Sequence, residues 1–156
     1  MRQDFEGQFI GAGEDATFHL IEHLTGLHLQ SLKNFKRGMN GIYRQVPIEF
    51  IISKLDYKLL SESQQKGSID VFIILNDIKI AVRVQGKGHG HFLKGLGKAK
   101  HDDVQKKLLK EYCQVVDVLK IECVEIFKER VTNKAEQELI NSFKTAKVMI
   151  PSVRKT

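Results

Sequence analysis

The chain has 156 residues, 42% hydrophobic and 28% charged, which suits one globular domain with a real core and excludes a disordered class. Its 25 Lys and Arg against 19 Asp and Glu leave a charge of +6, a moderate excess that suits a polyanionic partner without demanding one. No apolar run reaches the about 18 residues of a membrane span, MRQDFEGQF lacks the apolar stretch of a secretory leader, and Cys113 and Cys123 are too few for a disulfide framework or zinc site, so a cytoplasmic protein is expected.

In chain order, Gly11 to Asp15 reads as a loop opening a helix, with acidic residues complementing the helix dipole. Phe18, Leu20, Ile21, Leu24 and Leu27 then repeat at helical spacing, and Gly26 ends or bends the run. Glu14 stands at the N-terminal end of this helix, either as a dipole-favouring acid or as a ligand reaching a neighbouring site. Leu29 to Asn40 reads as a basic surface segment, with Lys33, Lys36 and Arg37, closed by a turn at Gly38 to Gly41. Tyr43 to Ile52 reads as a strand, and Pro47 places it at a sheet edge or bulge. Tyr57 to Lys66 is polar and reads as a mobile loop or a hairpin extension.

The centre of the chain is SIDVFIILNDIKIAVRVQGKGH, Ser68 to His89. Two Ile- and Val-rich runs, Ile69 to Leu75 and Ile78 to Val84, flank the turn Asn76-Asp77 and predict an antiparallel hairpin. The start of the first strand then lies beside the end of the second, which brings Asp70, Gln85 and Lys87 to one edge of the sheet. An acid, an amide oxygen and an ammonium at one place suit metal-assisted hydrolysis. Each has a plainer reading: Asp70 caps a turn, Gln85 is an edge-strand amide, and Lys87 is one more surface lysine.

Gly86 to Lys100 holds five glycines, four lysines and two histidines but neither the GxxxxGK[ST] nor the GxGxxG spacing. It reads as a basic lip suited to a phosphate backbone, or simply as a solvated loop. His101 to Tyr112 predicts a helix with Val104, Leu108 and Tyr112 on one face and Asp102 or Asp103 at its start. Val115 to Ile121 reads as a strand, parallel to Ile78 to Val84 because a helix intervenes. A last helix, Lys134 to Lys147, turns Ala135, Leu139, Ile140 and Phe143 inward before Pro151.

With Asp70 and Gln85-Gly86-Lys87 in this order, followed by a helix and a strand, residues Ser68 to Glu122 resemble the PD-(D/E)XK nuclease superfamily. Among its branches the archaeal-type Holliday junction resolvases look closest, and Glu14 is similar to their glutamate in an N-terminal helix. VRVQGKGH with the helix after it is also similar to mismatch-repair nicking endonucleases. Two positions depart from the pattern: Ile69 stands where the family has proline, and Gln85 stands where it has an acid. The glutamine oxygen can meet a hard cation but brings no charge, which keeps a non-catalytic DNA-binding relative open.

The resemblance implies one α/β domain over 1–156, a restriction-endonuclease-like fold with a central mixed β-sheet flanked by helices. It implies Mg²⁺ or Mn²⁺ held by Asp70, Gln85, the Gly86 carbonyl and Glu14, with Lys87 orienting water or offsetting phosphate charge. His89 would assist as a proton carrier or polar contact, and Lys33, Lys36, Arg37, Lys94, Lys98 and Lys100 would contact DNA. The expected activity is resolution of four-way DNA junctions by paired cuts. The alternatives are mismatch- or sequence-directed nicking and DNA binding without cleavage. Paired cuts call for a homodimer, for which the helix face with Ile140 and Phe143 is a candidate surface.

Overall fold

The computed structural model describes residues 12–85, 103–119 and 133–145. They form a mixed α/β arrangement around one four-stranded sheet in the order β1-β2-β3-β4. The strands are β1 (Gly41–Pro47), β2 (Ser68–Leu75), β3 (Ile78–Gln85) and β4 (Gln114–Leu119). β1, β2 and β3 run antiparallel as a meander, while β4 lies parallel to β3 with Ile80↔Gln114 through Gln85↔Leu119 in register. The expected hairpin and the expected parallel strand are both present. Asn76 and Asp77 both adopt positive φ, 50° and 70°, as a two-residue hairpin turn of the type matched to strand twist requires.

Helices cover both faces. On one face α1 (Ala12–Thr25) and α6 (Asn133–Thr145) supply Phe18, Leu20, Ile21, Leu24, Leu139 and Phe143 to a core with Val71, Ile73, Ile80, Val82 and Val116. On the other, α2 (Leu32–Lys36), a 3-10 turn Ile48–Phe50 and the helical residues 103–109 (α5) bring Phe35, Ile48 and Leu109 against Tyr43, Phe72, Ala81 and Val115. α3 (Lys54–Leu59) and α4 (Glu62–Gln65) lie in the excursion between β1 and β2. Apolar residues on both sides of β2 and β3 follow from this two-sided cover.

Several boundaries differ from the sequence reading. α1 begins at Ala12, so the expected opening loop is already helical there, and Gly26 ends it at φ 73° with its N–H on the Glu22 carbonyl. β1 stops at Pro47 rather than Ile52, because the chain turns there into the 3-10 turn Ile48–Phe50: the Ile51 and Ile52 N–H groups fold back onto the Ile48 carbonyl at 3.0 and 3.2 Å. Tyr57 to Lys66 is two short capped helices rather than a loop: the Ser53 hydroxyl accepts the Asp56 N–H at 3.1 Å and the Ser61 hydroxyl accepts the Gln64 N–H at 3.4 Å. In α5 the anchor is fully buried Leu109, while Val104 is exposed. The face chosen from Val104, Leu108 and Tyr112 is therefore rotated, with Leu108 and Tyr112 only at its margin. Phe143 is buried in the α1 side of the core and Ile140 packs half-buried against it, so this helix face serves the domain interior.

Candidate functional site

Asp70 sits where the central hairpin opens. The β2–β3 ladder runs from Leu75↔Ile78 to Val71↔Val82. Beyond it the Val84 N–H is taken by the Asp70 side chain, Oδ2 to N 2.9 Å, in place of a backbone partner on β2. The pleat changes at this point on two strands. Val71 and Ile73 face the α1 core, so strict alternation would send Ile69 there as well, yet Ile69 lies in the opposite core. On β1 the same happens between Tyr43 and Val46, both on the α5 side with Gln45 between them at φ 51°. The β1–β2 ladder skips from Arg44↔Val71 to Val46↔Ile69, and the Ser68 hydroxyl donates to the Gln45 side-chain oxygen at 2.9 Å. This local break directs the Asp70 carboxylate within the sheet, toward β3.

The end of the sheet marked by Asp70 also receives the last residues of β3 and the first turns of α1. Gln85 closes β3, paired with Leu119. Asp15 on α1 forms an ion pair with Arg44, whose register partner Val71 adjoins Asp70, and the Arg44 guanidinium lies 5.1 Å from the Phe18 ring centre. Glu14 is the residue before Asp15 in α1, so the backbone of α1 carries it to this end of the sheet. The Glu14 and Gln85 side chains, and Gly86, Lys87, His89, Lys94, Lys98 and Lys100 altogether, lie outside the described residues. Lys33, Lys36 and Arg37 are exposed on and just after α2. The Lys36 ammonium rests 4.6 Å from the Phe50 ring centre.

A second charged group was not foreseen. Arg83, only 7% exposed, donates from Nε to Asp117 Oδ1 at 2.7 Å and from Nη2 to Oδ2 at 3.2 Å, while Nη1 reaches Gln105 Oε1 at 3.2 Å. Lys106 Nζ adds a bond of 3.0 Å to Asp117 Oδ2. Burial by itself would raise the Asp117 pKa; the hydrogen bonds and charges of Arg83 and Lys106 outweigh it and hold the carboxyl below its usual value. The signal was present in the sequence. IAVRVQ and VVDVL each carry one charge inside an apolar strand, and a buried charge needs a partner. Parallel register then sets Arg83 opposite Asp117.

Among the described residues no three His, Cys, Asp or Glu side chains gather as a metal site, and no helix is long and apolar enough to cross a membrane. Cys113 is partly buried, and desolvation pushes its thiol up to about 11 despite the nearby Ala81 backbone and Lys79, so it stays protonated at neutral pH. Comparison with protein-family models, with curated proteins and with solved structures finds no match for this chain.

Proposed function

We propose that this chain is a metal-dependent DNA endonuclease of PD-(D/E)XK type that acts on four-way junctions as a homodimer. The observation that carries the reading is Asp70 at the parting of β2 and β3, its carboxylate on Val84 N–H one residue before Gln85. The order of the elements supports it too: an antiparallel hairpin, a helix, then a strand parallel to the second hairpin strand. The approach of α1 to the same end through Asp15 and Arg44 accounts for Glu14 as a contributor.

A carboxylate accepts at up to about four positions, so a backbone N–H and a hard cation can share one. With Asp70, the Gln85 amide oxygen, the Gly86 carbonyl and Glu14, the donor set is all oxygen, which fits Mg²⁺ or Mn²⁺. When bound, such an ion supplies a water of lowered pKa and offsets charge growing on the phosphate. Asp70 holds its ligand oxygen steady because the Val84 N–H fixes the carboxylate. Lys87 orients the attacking water or pairs with a phosphate oxygen, and His89 carries a proton. Gln85 contributes position but no charge, so metal affinity falls below that of a site with an acid there.

The competing reading is a DNA-binding relative without cleavage. It is favoured by the same hydrogen bond, since capping the Val84 N–H gives Asp70 a structural purpose of its own. The deciding experiment compares wild type, Asp70→Asn and Lys87→Ala on a four-way junction and a linear duplex, with Mg²⁺, Mn²⁺ or EDTA. Asn keeps an oxygen for Val84 N–H while removing the charge, so a loss of cutting would report chemistry rather than unfolding. Paired, metal-dependent cuts at the junction that vanish in both variants are expected. Binding without cutting in either metal would leave the non-catalytic reading, and equal cutting of the linear duplex would favour the nicking enzyme.

A further inference from the structure

Leu55 and Leu59 are 71% and 78% exposed, and on α3 they stand one turn apart on the same side. A single exposed leucine is ordinary. This pair, however, sits on a short helix that is firmly tied down. The Tyr112 hydroxyl lies within hydrogen-bond reach of Ser53 Oγ and the Asp56 carboxylate and also takes the Ser53 N–H. Tyr57 and Gln65 bridge α3 to α4 with bonds of 3.2 and 2.9 Å. The leucines are therefore held out to solvent by a braced element.

Their surroundings carry an excess of cations over acids. Lys54 and Lys58, both exposed, precede the two leucines. The helical layer that contains α3 also exposes Lys33, Lys36, Arg37, Lys66, Lys107 and Lys110, against the exposed acids Glu49, Glu62, Asp103 and Glu111 and the half-buried Asp56 of α3 itself. The opposite layer differs: α1 has Glu14, Asp15 and Glu22 with no Lys or Arg, and α6 balances two lysines with two glutamates. A polyanion is drawn to the α3 side. The excursion carrying α3 leaves and returns at the Asp70 end of the sheet, where Pro47 pairs with Ser68 and the Ile48 N–H bonds the Gly67 carbonyl at 3.0 Å.

We propose that Leu55 and Leu59 form an apolar wedge for the branch point of DNA, flanked by Lys54 and Lys58 on the phosphates. Proteins that kink DNA place apolar side chains between base steps and cations on the backbone around them. A linear duplex must first be unstacked to admit the wedge, whereas a branch point already presents open base-pair faces. The leucines thus select branched over linear DNA, and the lysines add affinity for both. This rests on the DNA reading above, but not on cleavage.

The test measures binding in EDTA, by fluorescence anisotropy, of a synthetic four-way junction and a linear duplex with the same arm sequences. The double variant Leu55→Ala/Leu59→Ala is expected to lose about tenfold or more on the junction, the scale of one buried leucine side chain, and little on the duplex. Lys54→Ala/Lys58→Ala is expected to weaken both DNAs and to flatten the slope of log K against log[salt] by about 2. Equal junction preference in wild type and the leucine variant would overturn the wedge while leaving DNA binding intact. No binding of wild type to either DNA at 50 mM salt would defeat the DNA reading as well. Leucine-dependent binding to phosphatidylserine vesicles instead of DNA, or a leucine-dependent dimer in sedimentation, would assign the pair to a membrane or a second copy and overturn the proposal.

Discussion

Asp117 shows how one carboxylate can tie three elements together. It takes both arms of the Arg83 guanidinium from β3 and the Lys106 ammonium from α5, while itself belonging to β4. Removing the charge leaves Arg83 buried without its counter-ion, so Asp117→Asn should cost about 3 kcal/mol, read as a lower urea midpoint at pH 7. Lys106→Met should cost less, because Lys106 is far more exposed than Arg83. The acid dependence has a definite sign. The folded pKa of Asp117 is depressed, so its contribution is complete above the unfolded carboxylate value of about 3.9 and is lost as pH falls through that value toward the lower folded one. Stability curves of wild type and Asp117→Asn should converge below about pH 4. Curves that stay parallel to pH 3 would show that the pair does not carry this term.

Among the elements, the excursion between β1 and β2 is where sequence reasoning and structure differ most. Ser53-Lys-Leu-Asp56 and Ser61-Glu-Ser-Gln64 each place a serine three residues before an acid or amide, the spacing of a helix start. These signals were legible but short, and the segment between them lacks the apolar periodicity that usually identifies a helix. Tertiary contacts complete it, chiefly Tyr112 on Ser53 and Asp56. Ser53→Ala should therefore destabilise by about 1 kcal/mol or somewhat more, and Ser61→Ala by no more than about 1 kcal/mol, since the Ser61 cap is longer and Ser53 also receives the Tyr112 hydroxyl. Thermal melts of the two single variants would rank them, and the reverse order would remove Tyr112 as the reason. The hairpin was easier to read. Alternating Ile and Val around Asn76-Asp77 leave little choice of turn, and Asp70 follows as the residue that meets the end of β3. What pattern could not reveal was the pleat change at Gln45 and Asp70, because it depends on two strands breaking at the same level.

Across the described residues, the excess of cations falls on the α3 layer and the core is divided between the two faces of the sheet. α6 illustrates the difference between an apolar stripe and an interface. Ile140 and Phe143 read as a partner surface in sequence, yet Phe143 is buried against β-sheet residues and α1, and Ile140 packs half-buried on the same core. Phe143→Ala should cost about 3–4 kcal/mol, with a denaturation midpoint that does not change with protein concentration. A midpoint that rises with concentration in wild type and not in the variant would return this face to a dimer. The α/β class, the mixed sheet and the flanking helices could all be anticipated from alternating hydrophobic runs. The Arg83–Asp117 pair was missed because it joins residues 34 apart whose neighbours are all apolar, so neither looks like part of a site until β3 and β4 are set side by side.

The bond from Val84 to Asp70 has a bearing on how the chain finds its fold. Strand pairing can slip, and a slip of one residue would turn every core side chain of β3 to the wrong face. Asp70 takes the N–H of a residue fourteen positions onward, just past the last rung of the ladder. In a slipped hairpin that acceptor meets a different part of the backbone, and the Val84 N–H loses its side-chain partner on β2. One carboxylate thus acts as a proofreader of strand register, on the side of β3 opposite the one that β4 seals.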